Sequence, residues 1–426
     1  MGIPKLFRQL SQNYNQILTT TKPSQSNIDW LGIDFNSLMH PVCAAKAATE
    51  EAVNWKLKRN WPILYKAILT ELKKVLVSVS SNGSIQTVYI AIDGVVPMAK
   101  IIQQRQRRFR GSYERRNKKT NWDSCLISPG TFFMNGFERY LLSHTRELNV
   151  VKGFATTQFV ISTTKEFGEG EHKIMKQLRS LSHSTSKSKP KTVAIYGLDA
   201  DLIILGMTLT QSYSVYLFRE NVHCSVSEFA KEDYILMSVN TLWDALVQEI
   251  TQCMEQHNQT MRQKGMEPAK FTFDTSSLLR DFIVLTCYFG NDFVPAIPAF
   301  SLTLEDSIWT LLRAYATVLA EEGVYMIQSV TDQVFYWNTT FLLKLWNHCK
   351  GEESNRMKLK TIQWTRRRHP SRRNHPGDDL ESPSTTFHKM PRKKQDWMRH
   401  ALSSPSSYLS VYSSIEESNS VDYTLT

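Results

Sequence analysis

Seven carboxylates carry the chemistry that this chain could perform. Asp34 closes the apolar run Trp30-Leu-Gly-Ile-Asp, and Asp93 closes Val88-Tyr-Ile-Ala-Ile-Asp. Asp199 and Asp201 follow Val193-Ala-Ile-Tyr-Gly-Leu, and Glu169 and Glu171 lie in Phe167-Gly-Glu-Gly-Glu-His. Asp292 comes shortly after the apolar stretch from Phe282 to Phe289. A single acid in such a place is usually a strand-end or turn residue. Three strand-terminal acids with a Glu-x-Glu and an Asp-x-Asp pair form a set that strand ends alone do not explain. Gathered in one pocket, they would repel one another and resist ionisation unless cations were present. Oxygen-rich, carboxylate-dominated sites suit magnesium or manganese. The set therefore points to a metal-dependent enzyme acting on phosphates.

The elements that must position these acids follow from apolar patterning. Strand-like runs at 28–34, 87–93, 158–162, 192–197 and 214–218 are separated by helical or polar stretches. Helical periodicity is clearest over 54–79 and 98–110, after Glu171, and through 278–289 and 304–322. Strands alternating with helices predict an α/β fold, with a central, twisted, mainly parallel sheet flanked by helices. In such a sheet the carboxyl ends of the strands line one crevice, where ligands bind. The Ser- and Lys-rich stretch 182–191 reads as an exposed loop.

A second constellation follows Asp93 directly, in Pro97-Met-Ala-Lys-Ile-Ile-Gln-Gln-Arg-Gln-Arg-Arg-Phe-Arg. Lys100, Gln104, Arg107 and Arg108 are spaced i, i+4, i+7 and i+8, which puts them on one helix face. That face presents three cations and an amide donor beside the acidic crevice. An arginine fork grips a phosphate with two hydrogen bonds, and lysine adds a compact charge. Most charge runs are merely solvated helix faces, and adjacency to a strand-terminal Asp is what sets this one apart. Arg115, Arg116, Lys118 and Lys119 continue the basic run.

Composition agrees with a polyanionic partner. The 426 residues carry a formal charge of +11, and the length suffices for a sizeable core. The six cysteines form no Cys-x-x-Cys pair, which argues against a zinc site or a disulfide framework and for reduced thiols inside a cell. The opening residues lack the apolar core of a signal peptide, and Leu6 stands where myristoylation wants Ser or Thr. The longest apolar run is far short of a membrane span, so no membrane partner is expected.

These motifs together resemble the 5′→3′ exoribonucleases of the Xrn/Rat group, within the flap-endonuclease-like nuclease superfamily. The likeness begins at Met1-Gly-Ile-Pro-Lys-Leu-Phe-Arg and recurs at Ile92-Asp-Gly-Val-Val-Pro-Met-Ala-Lys and Gln103-Gln-Arg-Gln-Arg-Arg-Phe-Arg. It continues in Ile127-Ser-Pro-Gly-Thr-Phe-Phe-Met, Gly168-Glu-Gly-Glu-His-Lys-Ile-Met, Tyr196-Gly-Leu-Asp-Ala-Asp-Leu-Ile and Phe289-Gly-Asn-Asp-Phe-Val-Pro. The resemblance implies a PIN-like nuclease fold over residues 1–346. It also implies that Asp34, Asp93, Glu169, Glu171, Asp199, Asp201 and Asp292 hold two magnesium ions, with manganese as a substitute. By the same likeness, Lys100, Gln104, Arg107 and Arg108 form a pocket for the 5′-monophosphate of single-stranded RNA, and His40 stacks on a base. Gly2 matches the residue of a buried amino terminus near the site. The implied activity is hydrolysis of RNA from its 5′ end to nucleoside monophosphates, in RNA decay.

Departures from the family pattern sit at Met98, where relatives commonly carry Arg, and in the tail. From Asn347 to Thr426 the chain is basic and Ser-rich, with Arg366-Arg-Arg-His-Pro-Ser-Arg-Arg and Arg392-Lys-Lys. This 347–426 tail is expected to be disordered or only locally ordered, and no second family block is expected in it. Residence is expected in the cytoplasm, with the nucleus as the alternative that the basic clusters would favour. Two other readings stand beside the exoribonuclease: an RNA-binding homologue of weak or lost activity, and a structure-specific flap endonuclease. The second is disfavoured because no glycine follows Asp292 before Gly323, where a Gly-x-Gly hairpin would lie.

Overall fold

The computed structural model describes residues 3, 5–21, 27–50, 52–80, 85–115, 122–183, 190–222, 226, 229–302, 306–329, 331 and 334–368. The chain divides into two compact units, Met1–Ser354 and Asn355–Thr426. In the first, α1 (Leu6–Asn13) and β1 (Leu18–Thr20) lead to β2 (Trp30–Asp34), α2 (Phe35–Thr49) and α3 (Trp61–Val79). Then come β3 (Thr87–Ala91), α4 (Met98–Arg115), α5 (Phe132–Ser143), α6 (Thr145–Asn149) and β4 (Gln158–Ser162). The chain continues through α7 (Gly170–Ser182), β5 (Thr192–Tyr196), α8 (Asp201–Met207), β6 (Ser214–Glu220) and β7 (Tyr234–Ser238). Three helices follow, α9 (Val239–Gln263), α10 (Thr275–Thr286) and α11 (Ser307–Glu322), then the hairpin β8 (Ile327–Ser329) and β9 (Phe335–Trp337). Last among the described residues is α12 (Thr339–Arg368), whose final turns belong to the second unit.

Seven strands form one sheet in the order β1-β7-β6-β5-β2-β3-β4. β6, β5, β2, β3 and β4 run parallel, and β7 and β1 each join antiparallel to the neighbour before them. The chain builds outward from β2 through β3 to β4, then crosses back to place β5 on the other side of β2. Strand order thus reverses at β2, the topological switch point where open α/β sheets keep their ligand crevice.

Period-two alternation explains why helices cover both faces. Trp30, Tyr89, Ala91, Val193 and Ile195 point into one core, shared with α7, α8, α9, α10 and α11. Leu31, Ile33, Val88, Ile90, Ala194 and Tyr196 point into the other, shared with α2, α3 and α5. Each fully buried Leu, Ile or Phe contributes about 1.5–3 kcal/mol, so the strand ends are held by two extensive apolar layers. No helix among the described residues is long and apolar enough to cross a membrane.

The α/β class and the mainly parallel sheet agree with the sequence reading, and the differences lie at boundaries. The helical run expected from residue 54 begins at Trp61, where Pro62 suits a first turn because its missing N–H has no helical partner there. β7 and β1 were not anticipated, nor was α9, although Val239, Leu242, Trp243, Leu246 and Ile250 make a helical stripe along its buried side. Helix α12 runs on past residue 347 to Arg368, so this part of the expected tail is ordered. The cluster after Arg368, the Arg392 cluster, most of the 182–191 loop, residues 116–119 and Gly2 lie outside the described residues.

Asp281 locks the helix that leads to Asp292. Its fully buried carboxylate accepts hydrogen bonds from Met326 N (2.8 Å), Ile327 N (2.8 Å) and Tyr315 Oη (2.7 Å). Burial pushes its pKa up to about 6, with these donors working against the rise. Replacing Asp281 by Ala strands buried donors, so we expect a loss of roughly 2–4 kcal/mol of stability. Urea unfolding of the Asp281→Ala chain measures this, and a loss under about 0.5 kcal/mol would contradict the role.

Candidate active site

β-sheet register sets the first two acids side by side. Asp34 is the last residue of β2, where it pairs with Ala91 of β3, and Asp93 comes two residues after Ala91. Asp34 also stands at the cap of α2, and Ser37 donates a short hydrogen bond to its Oδ2. Asn36 reaches the other way, its Oδ1 accepting from Asp93 N at 3.2 Å. Both strand ends are therefore tied to one turn of α2.

Helix α7 supplies the next pair. Glu169 precedes its first residue and Glu171 sits in its first turn, where the helix dipole favours negative charge. Gly170 between them donates its N–H to Asp93 Oδ1 at 2.7 Å. Glycine is required by space here: a Cβ would lie 2.8 Å from Ala91 O and 2.8 Å from Asp34 Oδ1. Lys173, buried one turn later, donates to Ile92 O (2.7 Å) and Thr163 O (2.8 Å), pinning α7 to the ends of β3 and β4.

The last three acids arrive from two further directions. Asp199 follows β5, and Asp201 opens α8, with its Oδ1 accepting from Ile3 N at 3.1 Å. Buried Arg219 of β6 donates to Leu198 O at 3.1 Å and lies 3.7 Å over the Phe7 ring, so β6 steadies the loop carrying both aspartates. Asp292 follows a turn at Gly290, whose φ is +76° and where a Cβ would lie 2.4 Å from Ala296 N. Lys100 of α4 closes the ring: its Nζ sits 2.6 Å from Glu169 Oε2 and 2.6 Å from Asp292 Oδ2.

Electrostatics show that the acids share one crevice. Burial, then the charges of Asp34, Glu169, Asp199 and Asp201, push Glu171 up to about 9. Burial, then Asp93, push Asp34 up to about 7 against the Ser37 hydrogen bond, and Asp199 adds to the rise. Burial pushes Asp93 up to about 6, opposed by the Gly170 N–H and raised further by Glu169. Asp201 is raised by burial and then by Asp292. Burial works to raise Asp292 as well, but the Lys100 hydrogen bond leads the effects that leave it below the usual carboxylate range. Lys100 itself, despite burial, is held above its ordinary value by Asp292 and Glu169.

The donor set fits a hard divalent cation. Glu169 Oε1 is buried without a hydrogen-bond partner, while the other oxygen of the same carboxylate is engaged by Lys100. An orphaned, nine-tenths buried carboxylate oxygen facing a crowd of raised carboxylates is what a bound cation would satisfy.

The structure also divides the basic helix face. Lys100 is buried between two carboxylates, whereas Gln104 and Arg108 are half-buried and Arg107 is exposed. Seven residues of helix separate Lys100 from Arg107 by about 10 Å. Burial, then Arg107 and Arg108, push His40 down to about 4, which places its ring beside those two arginines. Met98 is exposed. Gln103, which hydrogen-bonds to Asp292, joins Lys173, Arg219 and Ser37 as site residues that the sequence reading missed. The i+3 spacing of Lys100 and Gln103 and of Asp34 and Ser37 was the available signal, while Arg219 had none. His172, quoted in the motif without a role, has its Nδ1 within 4.0 Å of both glutamates of α7.

A family model described as "XRN 5'-3' exonuclease N-terminus" matches residues 1–221, just over half the chain. The chain belongs to the XRN 5′-3′ exonuclease family. A second model, "Xrn1 helical domain", matches residues 272–407. This corrects the expectation that no second block follows Asn347. That expectation weighed the charge and Ser content of the tail, which hides residue-specific likeness. Among curated relatives, the Saccharomyces cerevisiae 5'-3' exoribonuclease 2 is 28% identical over 425 residues, covering 86% of this chain and 40% of that protein. The Schizosaccharomyces pombe 5'-3' exoribonuclease 1 is 28% identical over 349 residues, covering 76% of this chain and 24% of that protein. The Homo sapiens 5'-3' exoribonuclease 1 is 27% identical over 345 residues, covering 77% and 19%. The chain thus spans less than half the length of the relatives it matches. A solved structure, the catalytic core of Rad2 in complex with DNA substrate, covers 92% of this chain and 87% of that one at 12% identity. Its TM-score of 0.39 is too low to bear on the site.

The raised acids set a sign for pH dependence. Without divalent cations, Asp93, Asp34 and Glu171 bind protons more tightly folded than unfolded. The stability this contributes is fully present below their unfolded values near 4 and is lost as pH rises through about 6, 7 and 9. In chelator, melting temperature should therefore fall between about pH 4 and 9. Added magnesium should raise it by a few degrees, more at about pH 8 than at pH 6, because the cation selects the ionised carboxylates. Differential scanning calorimetry measures this, and no magnesium effect at the higher pH would contradict the metal site.

Proposed function

We propose that this chain is a magnesium-dependent 5′→3′ exoribonuclease acting on single-stranded RNA with a 5′-monophosphate. The observation that carries this reading is the convergence of seven carboxylates on one crevice, joined through Lys100 to the helix that bears Arg107 and Arg108. Family membership and the named activity of the relatives support it.

On this reading Asp34, Asp93, Glu169, Glu171, Asp199, Asp201 and Asp292 hold two divalent ions. Bound there, the ions would supply an activated water and offset charge on the leaving oxygen. The side chains do the positioning. Lys100 holds Glu169 and Asp292 in one geometry and ties that geometry to α4. Arg107 and Arg108 offer guanidinium forks for the terminal phosphate, and Gln104 adds an amide donor. His40, held neutral at physiological pH, offers a flat uncharged ring for the first base. A pocket of this kind rejects a triphosphate by size and disfavours a bare hydroxyl by lost charge pairing.

The test uses the purified chain, magnesium and RNA ending in a 5′-monophosphate, triphosphate or hydroxyl. Mononucleotides should be released from the monophosphate alone. Asp201→Ala should reduce turnover by about 10³-fold or more while RNA binding persists. Arg107→Ala should cut discrimination between monophosphate and hydroxyl ends by roughly tenfold, the loss of one charge-assisted contact. Binding without release would support a module of lost activity. Cuts at DNA branch points would support a flap endonuclease.

A further inference from the structure

The Glu-x-Glu pair of α7 is followed directly by a histidine, His172, at the rim of the crevice. His172 Nδ1 lies 4.0 Å from Glu169 Oε1 and 3.9 Å from Glu171 Oε1. One ligand atom from each of these three residues falls within 4.8 Å of the other two. The oxygen of Glu169 that faces the imidazole is the orphaned one, since Lys100 engages only Oε2. Glu169 and Glu171 are both about nine-tenths buried, whereas the His172 side chain is half exposed, at 51%. The cluster therefore has a buried carboxylate floor and an imidazole at its solvent-facing rim.

We propose that His172 donates Nδ1 to a divalent ion shared with Glu169 and Glu171, making this position selective for first-row transition ions over magnesium. The inference rests on the metal reading above and adds a nitrogen ligand to a site otherwise built from oxygen. An ion with bonds of about 2.1 Å joins donors about 3 to 4.2 Å apart, depending on whether they are adjacent or opposite. Both nitrogen–oxygen separations lie near the wide end of that span. Since one nitrogen can stand opposite only one of the two oxygens, binding draws the half-exposed ring about 1 Å closer to the other glutamate. Imidazole raises affinity for manganese, iron or zinc far more than for magnesium, which prefers all-oxygen surroundings and keeps its waters. As a ligand His172 must leave Nδ1 unprotonated and carry its proton on Nε2. The ring is half exposed, which leaves room for water to accept from that Nε2–H.

The competing reading is that His172 is an imidazolium paired loosely with two glutamates. Pulsed electron paramagnetic resonance of the full chain loaded with one equivalent of manganese separates the two. Directly bound imidazole gives a ¹⁴N modulation, and this signal should appear in the parent and vanish in His172→Gln. The same substitution should weaken manganese binding about tenfold while changing magnesium binding less than about twofold, read by competition calorimetry. Manganese bound without ¹⁴N modulation in the parent overturns the role of His172 and leaves the carboxylate site standing. A ¹⁴N signal that persists in His172→Gln overturns it too, since another nitrogen must supply it. Absence of manganese binding in the parent overturns both this inference and the metal reading. The altered side chain is half exposed, so the variant should fold, and its melting temperature in chelator should match that of the parent.

Discussion

Mutual repulsion among buried carboxylates is the constraint around which the rest of this protein is built. Four carboxylates act on Glu171, and burial strips the water that would otherwise soften their charge. Such an arrangement survives only if the surrounding structure is stiff and compensating cations are at hand. Lys100, shared between Glu169 and Asp292, is the leading compensation visible in the fold, and the buried Lys173 adds a second charge beside Asp93. Two buried ammonium groups do not balance seven acids, and the remaining repulsion is the physical ground for proposing divalent ions in the crevice.

The stiffness comes from topology. Strand ends β2, β3 and β5 are clamped between two apolar layers, so the acids cannot relax apart by moving the sheet. Side-chain hydrogen bonds complete the job at short range: Asn36 links α2 to Asp93, the Gly170 N–H grips Asp93, and Lys173 pins α7 to two strand ends. Asp292 comes from far along the chain and depends on a different device, a helix locked by buried Asp281 and a turn that only glycine can make.

Helix α4 joins this acidic region to a basic one. Its first turn is neutralised inside the crevice by ion pairing, and two turns later its arginines bear on His40. A single rigid rod thus fixes the distance between a carboxylate cluster and exposed guanidinium groups. For the end-directed activity proposed above, this coupling is the geometry needed, and it does not rely on a loop.

Much of the site was legible in the residues. An apolar run ending in Asp is a strand delivering an acid to an edge, and three such runs were readable because parallel strands buried on both faces are nearly continuous in hydrophobicity. Spacing alone put Lys100 on a helix face with Arg107 and Arg108. It could not show that Lys100 is turned inward to two carboxylates, because both lie in segments remote in sequence. Strands β1 and β7, the two antiparallel strands at one end of the sheet, escaped because short runs of this kind are defined by pairing with a neighbour more than by their own pattern. The second family block escaped because composition averages away the positions that a family model weighs. The sequence by itself determined which acids exist and that strands deliver three of them to one edge. Only the tertiary structure decided that they crowd together, that a lysine is spent holding them, and that His172 and an orphaned glutamate oxygen face each other. Those facts depend on distances between segments that chain order does not encode, and burial then turns those distances into energy.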